Sequence, residues 1–365
     1  MKKKLTIGLI FGGKSGEHEV SLVSARSIFA ALDKKKYDVK LIGIDKVGKW
    51  HLGNPKNFWL NGDDTKKIRL NLESTSVMIV NRSIQAIDSG KKLSEVDVFF
   101  PITHGTFGED GCLQGFLELL DTAYVGSGVL SSAVGMDKDV MKRLFREAGI
   151  PIGKFRILTK RNTFKDILSA IRYLKFPIFV KPANLGSSIG ISKVKNIKEL
   201  KEAIETAFQY DNKVVLEEAI IGREIECSVL GNIYPPASEP IASLPGEIKL
   251  NSEFYSYEAK YLNNEDAVPI VNVAISKNTI KKIQTLAIKV FKTLDCEGMG
   301  RVDFFLKKNG EVLVNEINTL PGFTSISMYP KMFATSGISY PELLDRLIGL
   351  ALERKKRNAR LKRSF

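Results

Sequence analysis

The sequence predicts an amino-terminal α/β layer built on a parallel sheet, followed by α+β segments. Residues 5–11 and 39–44 have the apolar composition of buried strands, and segment Glu19–Leu32 between them has a helical pattern. This order is that of a βαβ unit. A third buried strand is expected at 96–102, and the short strands and helices after residue 150 favour an α+β arrangement.

Changes in the pattern divide the chain into four predicted segments. The glycine-rich stretch and helical pattern after the third strand close the first unit, in which residues 46–95 carry no motif that we can interpret. The segments are a first α/β unit (1–125), a second α+β unit (126–213), a third unit (214–352) and a basic tail (353–365).

The composition is that of a globular protein with a basic end. The 365 residues are 44% hydrophobic, enough for two or three cores. Of the net charge of +14, residues 353–363 contribute +6, from seven Lys and Arg and one Glu. Such a tail can bind nucleic acid or anionic lipid, but no aromatic residue is interleaved before Phe365. We therefore favour a frayed, solvated extension of the last helix and expect no nucleic-acid partner.

The start of the chain imitates a secretory signal, because lysines precede an apolar stretch. That stretch is short and interrupted by glycine, so we assign it to the first strand. No other apolar run approaches the roughly 18 residues of a membrane span, and no membrane insertion is expected. Cys112, Cys227 and Cys296 are widely spaced and odd in number, which favours packing roles in a reducing cytoplasm.

The segment Arg301–Asn318 has the pattern of a β-hairpin. Asn309 and Gly310 lie between two alternating apolar runs, which predicts a two-residue type I′ loop. Such a loop pairs Lys308 with Glu311, and the register of the two strands then follows by counting.

This register predicts a magnesium site. Asp303 falls opposite Glu316 and Arg301 falls opposite Asn318, all on one face of the hairpin. Opposed carboxylates repel each other unless a divalent cation lies between them, and an oxygen-only set of ligands suits Mg²⁺. The alternative is an ordinary hairpin whose polar face is solvated.

Residues 8–15 match the Walker A pattern, but their context contradicts a P-loop. Residues 9–11 should turn and present N–H groups to phosphate, whereas here they are apolar and continue the first strand. The loop at 12–16 still follows the carboxyl end of a strand, where ligands bind in open α/β sheets. Glu17 could hold a ligand ammonium group there, or be a helix-terminal acid favoured by the dipole.

Three further motifs are compatible with nucleotide chemistry. Lys181 and the glycine-rich segment 186–190 offer a lysine and a hairpin that can cover phosphates, although a plain turn is the alternative. Glu217 and Glu224 could hold ribose hydroxyl groups, or lie at any strand end. Segment 321–327 offers a glycine N–H and hydroxyl groups beside the predicted metal ligands, which is suited to stabilising an oxyanion.

Taken together and in order, these motifs closely resemble the D-alanine:D-alanine ligases of the ATP-grasp superfamily. The resemblance runs from about residue 5 to 350 and rests on the segments GGKSGEHEVS, HGTFGEDG, MDK, KPANLGSSIG, YEAKY, GRVDFF and NEINTLPGFTSIS. It implies an ATP-grasp fold preceded by the parallel-sheet unit. It also implies an activity, the ligation of two D-alanines through D-alanyl phosphate, which supplies peptidoglycan precursors. The implied cofactors are ATP, two Mg²⁺ ions (or Mn²⁺) and a monovalent cation such as K⁺, and the implied assembly is a homodimer.

The resemblance assigns nucleotide and metal contacts residue by residue, with ATP between the second and third units. The residues implied to face the phosphates are Lys138, Lys181, Ser188 and Lys260. Those implied to face the ribose are Glu217 and Glu224, and those implied to face adenine are Glu218, Ala219 and Ile220. The implied magnesium ligands are Asp303, Glu316 and Asn318, in agreement with the register argument.

The same resemblance assigns the substrate side. Glu17, in contact with Ser187 and Tyr261, would bind the ammonium group of the first D-alanine. Arg301 and the Gly322 N–H would stabilise the tetrahedral intermediate. Ser327 and the backbone of Met328 would hold the carboxylate of the second substrate, and His104 would be a further substrate-binding residue. A lone His gives no evidence of a metal cluster or a triad, so we expect a structural or electrostatic role for His104.

Two features depart from the family pattern, and three rival functions remain. Residues 218–220 are Glu-Ala-Ile where some members have Lys-Trp-Leu, and Met328 stands where Leu is common. The rivals are a D-alanine:D-lactate ligase, another ATP-grasp amino-acid ligase and a nucleotide-binding relative without activity. Since depsipeptide-forming relatives often carry Phe at Tyr261, we expect Tyr261→Phe to raise ester formation, and an unchanged ester-to-peptide ratio would count against this.

Overall fold

The computed structural model describes residues 3–62, 64, 67–186, 189–250 and 267–362. Among these residues, no helix combines the length and the apolar character needed to cross a membrane.

The first unit is an α/β layer with a parallel core. Its strands are β1 (Leu5–Gly12), β2 (Tyr37–Ile44), β3 (Trp50–Gly53), β4 (Trp59–Leu60), β5 (Arg69–Leu70), β6 (Thr75–Val80), β7 (Ser83–Ala86), β8 (Lys92–Glu95), β9 (Val98–Pro101) and β10 (Ala123–Tyr124). Its helices are α1 (His18–Ala31) and α2 (Cys112–Leu119), and α3 (Val129–Met136) follows. Among the described strands, the order is β10-β9-β1-β2-β3-β6-β7-β8, with β4 paired to β5.

The predicted βαβ unit is confirmed, because β1 pairs in parallel with both β2 and β9. Within the segment 46–95, the antiparallel strands β3, β6, β7 and β8 extend this sheet beyond β2. The strand β1 continues to Gly12, so residues 9–11 do not form a P-loop, as predicted. Gly12 has φ +90°, and a Cβ there would lie 2.1 Å from the Ile44 carbonyl oxygen, so this turn requires glycine.

The second unit packs helices on an antiparallel sheet. It contains α4 (Lys138–Glu147), β11 (Phe155–Thr159), α5 (Phe164–Leu174), β12 (Ile178–Pro182), β13 (Ser192–Val194), α6 (Ile197–Ala207) and β14 (Lys213–Glu218). Within the described ranges, the strand order is β11-β14-β12-β13. Because β14 hydrogen-bonds to both β11 and β12, this unit extends to Glu218 and not only to residue 213, where we placed its end.

The third unit is built on a second antiparallel sheet. It contains β15 (Arg223–Gly231), β16 (Ile241–Ala242), β17 (Gly246–Leu250), β18 (Ala267–Ile270), α7 (Lys277–Thr293), β19 (Gly298–Leu306), β20 (Val312–Asn318), α8 (Met328–Thr335) and α9 (Tyr340–Asn358). The described strands follow the order β18-β17-β15-β19-β20, with β16 on β15.

The hairpin of β19 and β20 differs from its predicted form at the turn. Lys307 N donates to the Glu311 carbonyl at 2.9 Å, so the loop has three residues and Gly310 has φ +82°. The predicted two-residue type I′ turn and the pairing of Lys308 with Glu311 were therefore wrong. Glycine satisfies the left-handed position of a three-residue loop as well as that of a type I′ turn.

A bulge restores the predicted register near the site. Phe304 pairs with Val314, but Asp303 pairs with Glu316, so Asn315 is an extra residue on β20. The longer loop and the bulge offset each other. The pairing of Asp303 with Glu316 and of Arg301 with Asn318 is therefore confirmed, although the two-residue turn from which it was counted is not present.

The first and third units share one hydrophobic core. Phe100 of β9 meets Phe323 edge to face with 6.1 Å between ring centroids, and Phe323 also packs against Tyr329 of α8. The last helix, α9, contributes Leu343 and Leu347 to the same core.

The basic end of the chain is not wholly a frayed tail. The helix α9 continues to Asn358, and Arg354 is only 6% exposed. Arg354 donates to the carbonyl oxygens of Tyr124 and Gly126, and Arg357 forms two hydrogen bonds with Glu297. Our interpretation of 353–363 as a solvated extension was therefore wrong up to residue 358, because these arginines anchor the helix on the first and third units.

Candidate active site

The two carboxylates predicted to share a cation face each other across β19 and β20. Both remain accessible, since the side chains of Asp303 and Glu316 are 17% and 32% exposed. With the Asn318 amide oxygen they form an oxygen-only donor set, which fits a hard divalent cation such as Mg²⁺. In the described part of the chain no group of three His, Cys, Asp or Glu side chains could hold a metal ion, so the amide is needed to complete the set.

Arg301 lies beside these ligands and contacts one of them directly. Its Nε donates to Asp303 Oδ1 and its Nη2 donates to Oδ2, each at 2.8 Å. Burial acts to lower the pKa of Arg301, but the charges of Asp303 and Glu226 outweigh burial and raise it well above the ordinary value. A fixed cation at this position can stabilise an oxyanion that develops nearby.

Lys138 connects the metal face to the glycine-rich hairpin of the second unit. It is the first residue of α4, whose N-terminus is capped by the Asp137 carboxylate. Lys138 Nζ donates to the Leu185 carbonyl at 2.7 Å and lies 3.5 Å from Glu316 Oε2. The predicted phosphate lysine is therefore within ion-pair distance of a predicted metal ligand.

A second group of charges is buried between the second and third units. Lys181 Nζ donates to Glu217 Oε2 at 2.7 Å, and Lys142 Nζ lies 3.2 Å from Glu217 Oε1. Lys142 also donates to the carbonyl of Asn315, the extra residue of the bulge, at 3.1 Å. We call Lys142, Lys181 and Glu217 the buried lysine cluster; it joins α4, the sheet of the second unit and β20.

The two lysines of this cluster stabilise the negative charge of Glu217. Burial acts to raise the pKa of Glu217, but Lys142 and Lys181 outweigh burial and lower it to about 2. Burial lowers the pKa of Lys142, and the nearby Lys181 charge acts in the same direction. Burial also acts to lower the pKa of Lys181, but the charges of Glu217 and Glu316 raise it overall. Glu217 is thus a carboxylate already paired with two lysines.

The residues predicted to face adenine and ribose lie at the ends of β14 and β15. Glu218 Oε1 accepts from the Lys154 N–H at 2.7 Å, and the Ala219 N–H donates to the Pro177 carbonyl at 3.2 Å. The side chain of Ile220 packs against Gly153. Glu224, on β15, contributes to the field that raises the pKa of Lys181.

Glu17 lies where the first unit meets the glycine-rich hairpin. The residue is 8% exposed and immediately precedes α1. A Cβ at Gly105 would lie 2.9 Å from Glu17 Oε2, and one at Gly186 would lie 3.6 Å from the same oxygen. Gly186 follows Leu185, the residue whose carbonyl accepts from Lys138. The predicted ammonium site and phosphate site are therefore adjacent.

His104 supports the turn that presents Glu17. Ser15 Oγ donates to the His104 carbonyl at 2.5 Å and accepts from the Glu17 N–H. The ring contacts Glu109 Oε1 at 3.1 Å and Ser24 Oγ at 3.2 Å. Burial acts to lower the pKa of His104, but the hydrogen bond and charge of Glu109 raise it overall. These contacts agree with a structural and electrostatic role.

The loop at 319–327 is held at the same junction. The Phe323 N–H donates to Ser24 Oγ at 3.4 Å, and Tyr340 Oη donates to the Phe323 carbonyl at 2.9 Å. Ser327 Oγ accepts from the Thr324 N–H at 2.9 Å and would lie 2.8 Å from a Cβ at position 322. The side chain of Met328 is buried against β17, in contact with Ile248. The loop thus brings residues 322 and 327 close together.

Four predicted site residues, Ser187, Ser188, Lys260 and Tyr261, lie outside the described residues. Three charged residues that contact the site were not predicted from the sequence: Lys142, Glu109 and Glu226. Lys142 follows Lys138 by four positions, a spacing that puts both on one face of a helix and could have indicated it. Glu226 follows Glu224 by two positions on a strand, and Glu109 lies within the HGTFGEDG motif.

Two facing α+β units with lysines, carboxylates and a glycine-rich hairpin between them have the architecture of the ATP-grasp enzymes. Comparison with protein families is more specific. The model described as "D-ala D-ala ligase N-terminus" matches residues 6–127, and that described as "D-ala D-ala ligase C-terminus" matches residues 144–349. The chain belongs to the D-alanine–D-alanine ligase family.

Individual relatives extend over the whole chain. The D-alanine–D-alanine ligase of Oceanobacillus iheyensis is 48% identical over 371 residues, covering 100% of this chain and 99% of that protein. The solved structure of the D-alanine-D-alanine ligase from Coxiella burnetii has a TM-score of 0.84 at 40% identity and covers 98% of this chain and 96% of that one. The VanG D-Ala:D-Ser ligase from Enterococcus faecalis has a TM-score of 0.83 at 38% identity, with coverage of 96% and 100%.

Proposed function

We propose that this protein is an ATP-dependent ligase that joins two D-alanines to D-alanyl-D-alanine, with release of ADP and phosphate. The observation that carries the proposal is the cluster in which Arg301 adjoins Asp303 and Glu316, in a chain that both family models match. The dipeptide is a building block for peptidoglycan precursors.

The reaction has two steps, because a carboxylate is a poor electrophile. A carboxylate oxygen of the first D-alanine attacks the γ-phosphorus of ATP, the bond to the bridging oxygen breaks, and ADP leaves. The unprotonated amine of the second D-alanine then attacks the acyl carbon of D-alanyl phosphate. The phosphate leaves with the oxygen that was phosphorylated in the first step, and the amine nitrogen loses a proton. No bond to the protein is formed.

The lysines offset the charge of the nucleotide phosphates. Lys138 and Lys181 take this role from the second unit, and Lys260 and Ser188 are proposed to join them. Lys181 is held by Glu217 at 2.7 Å, so its position is fixed by the protein. Groups that are fixed in advance stabilise a transition state without a cost of reorganisation.

The nucleoside end of ATP binds at the ends of β14 and β15. Residues 218–220 are proposed to face adenine, while Glu217 and Glu224 are proposed to lie on the ribose side. The packing of Ile220 on Gly153 and the short side chain of Ala219 support a shallow apolar surface there.

Asp303, Glu316 and Asn318 are proposed to hold two Mg²⁺ ions, which Mn²⁺ can replace. When bound, such ions neutralise charge on the phosphoryl groups. A monovalent cation such as K⁺ is a further proposed cofactor. The support from this chain is its oxygen-only donor set on one face of the hairpin.

The substrates bind on either side of Arg301. Glu17 is proposed to bind the ammonium group of the first D-alanine, with Ser187 and Tyr261 nearby. Arg301 and the Gly322 N–H are proposed to stabilise the oxyanion of the tetrahedral intermediate.

The carboxylate of the second D-alanine is assigned to Ser327 and the backbone of Met328, and His104 is proposed as a further residue on the substrate side, beside Glu17. Ser327 precedes α8, and a helix N-terminus favours an anion. Closure over the substrates would protect the acyl phosphate from water.

We also propose a homodimer that works in the cytoplasm. The cytoplasm supplies ATP, and the three cysteines are free thiols, which suits a reducing compartment.

The direct test is phosphate release from Mg-ATP by the purified protein, titrated with D-alanine and with L-alanine. We expect release that saturates with D-alanine and not with L-alanine. Parallel reactions with D-alanine plus D-serine or D-lactate test other second substrates, since the structurally similar VanG protein is a D-Ala:D-Ser ligase. Preferred formation of a mixed product would show that D-serine or D-lactate, and not D-alanine, is the second substrate. Absence of phosphate release with every pair would overturn the ligase proposal.

A further inference from the structure

Glu226 is a third carboxylate on the face that carries the predicted metal ligands. It lies on β15 directly opposite Asp303, which in turn lies opposite Glu316 on β20. Its side chain is 10% exposed, against 17% for Asp303. The three carboxylates thus form a row across three neighbouring strands.

Arg301 is shared between two members of this row. Its Nε and Nη2 occupy both oxygens of Asp303 at 2.8 Å, while Nε lies 3.4 Å from Glu226 Oε2. A metal ion at Asp303 would bind the oxygens that the guanidinium now contacts, and the two positive charges would repel each other at that distance. Arg301 and the metal therefore compete for Asp303.

A guanidinium that leaves Asp303 needs another partner. The Arg301 side chain is only 19% exposed, and a buried cation without a counter-charge is strongly destabilising. Glu226 is the second carboxylate within ion-pair distance of Arg301, and it lies on the side of Arg301 away from β20. A small displacement of the guanidinium toward β15 would free Asp303 and keep the ion pair.

We propose that Glu226 is a positioning residue that keeps Arg301 paired when Asp303 binds the metal ion. The inference rests on the proposed function, because it takes Asp303 as a metal ligand and Arg301 as the oxyanion donor. The exchange of partners involves no covalent change. Glu226 then has two effects: it lowers the competition for Asp303, and it holds Arg301 in place for the second step.

The test is Mn²⁺ binding to the full-length protein with saturating ADP, measured by the loss of the free-ion signal in electron paramagnetic resonance. No D-alanine is present, so the measurement does not depend on turnover. We expect Glu226→Gln to raise the Kd for Mn²⁺ by at least about fivefold, in line with the coupling of close charge pairs. In the Arg301→Met background the competitor is gone, so the same substitution should change the Kd by less than about twofold.

A different result is expected if Glu226→Gln affects the Kd for Mn²⁺ only by removing a negative charge near the site. If Glu226 acted only by attracting the cation, Glu226→Gln would weaken Mn²⁺ binding equally in both backgrounds, and that outcome would overturn the exchange of partners. Absence of Mn²⁺ binding by the unsubstituted protein would overturn the proposed metal site itself and the inference with it. The experiment therefore distinguishes an error in the proposed role of Glu226 from an error in the proposed metal site.

Glu247→Gln is the matched control. Glu247 lies on the neighbouring strand β17 and forms two hydrogen bonds with Arg223, at 2.8 and 2.7 Å, away from the hairpin face. The substitution Glu247→Gln removes a carboxylate that pairs with an arginine of the same sheet, and it should leave the Kd for Mn²⁺ unchanged. If Glu226→Gln does not fold, Glu226→Asp shortens the side chain while keeping its charge, and the same dependence on Arg301 is expected.

Discussion

Two clusters of charged side chains lie at the junction of the second and third units, and each contains both positive and negative charges. The clusters differ in their access to solvent. In the hairpin cluster, formed by Arg301, Asp303 and Glu316, the side chains are 17–32% exposed. In the buried lysine cluster they are only 4–11% exposed. The hairpin cluster can therefore exchange partners with a ligand. The buried lysine cluster holds its charges in close pairs, with Glu217 between Lys142 and Lys181, and Lys142 also donates to the carbonyl oxygen at the β20 bulge.

The largest effect should come from the hairpin cluster. Asp303→Asn keeps the shape of the side chain but removes the charge that a metal ion needs. Loss of an outer-shell partner of a metal costs about 10- to 100-fold, so loss of a direct ligand should lower kcat by more than about 100-fold. Phosphate release at saturating Mg²⁺ and D-alanine measures this, and the thermal midpoint should change little.

Glu311→Gln provides the control for that experiment. Glu311 immediately precedes β20 in the same hairpin, and its exposed side chain pairs with Lys307. The Gln variant should retain normal kcat. Near-normal turnover of Asp303→Asn would remove Asp303 from the metal site and erase the distinction between the two clusters.

The buried lysine cluster should respond mainly in stability. Lys142→Met keeps the apolar stem but leaves Glu217 with one lysine and the Asn315 carbonyl without its donor. Breaking a buried ion pair costs about 3 to 5 kcal/mol, and we expect a loss of that size in the free energy of unfolding, measured with urea. A smaller fall in kcat should accompany it, because the bulge that positions Glu316 loosens.

Lys201→Met is the matched control, since the Lys201 side chain on α6 is 85% exposed and its ion pair with Glu205 is at the surface. This variant should change stability by less than about 0.5 kcal/mol. An equally small effect of Lys142→Met would show that the buried lysine cluster does not hold the two units together.

The pH dependence of stability sharpens the comparison further. Lys142 and Lys181 lower the pKa of Glu217 from its ordinary value of 4.5 to about 2. A carboxylate whose pKa is lowered by folding stabilises the fold above pH 4.5, and this contribution is lost as the pH falls toward 2. It is on the order of 3 kcal/mol.

Urea unfolding of the unsubstituted protein and of Glu217→Gln tests this between about pH 5 and pH 3. The unsubstituted protein should lose stability more steeply with acid, because Gln has no proton to gain. Parallel slopes for the two proteins would contradict the assignment of Glu217 as a tightly paired carboxylate.

The smallest effect is expected in the loop beside the hairpin cluster. A Cβ at Gly322 would lie 2.8 Å from Ser327 Oγ, so Gly322→Ala should displace this hydroxyl group without disturbing the core. We expect a several-fold increase in KM for the second D-alanine and a stability change within about 1 kcal/mol. Steady-state kinetics that separate the two D-alanine sites measure it; an unchanged KM would place the second carboxylate elsewhere.

The register predicted for the hairpin cluster is correct because two differences between the predicted and the observed hairpin offset each other. Asn-Gly indicated a tight turn, but the loop holds one residue more, and the bulge at Asn315 compensates for it. Local turn chemistry does not distinguish these forms, since both use glycine with positive φ. The carbonyl of the extra residue, Asn315, accepts a long-range hydrogen bond from Lys142, which local sequence does not indicate.

The buried lysine cluster could not be predicted in the same way. A lysine in a polar helix pattern is normally assigned to solvent, and Lys142 is buried only because α4 packs between β14 and β20. The position of β14 was missed for a related reason. Strand order depends on tertiary pairing, so the sequence did not indicate that β14 lies at the centre of the second sheet.

The central claim is that this site activates the carboxylate of one D-alanine by phosphorylation and couples it to a second. The most direct test uses D-alanine with ¹⁸O in its carboxyl group, Mg-ATP and the purified full-length protein, followed by mass analysis of phosphate and dipeptide. We expect one ¹⁸O atom in each phosphate released, together with an equal amount of D-alanyl-D-alanine. Phosphate without ¹⁸O, or phosphate without dipeptide, would contradict it.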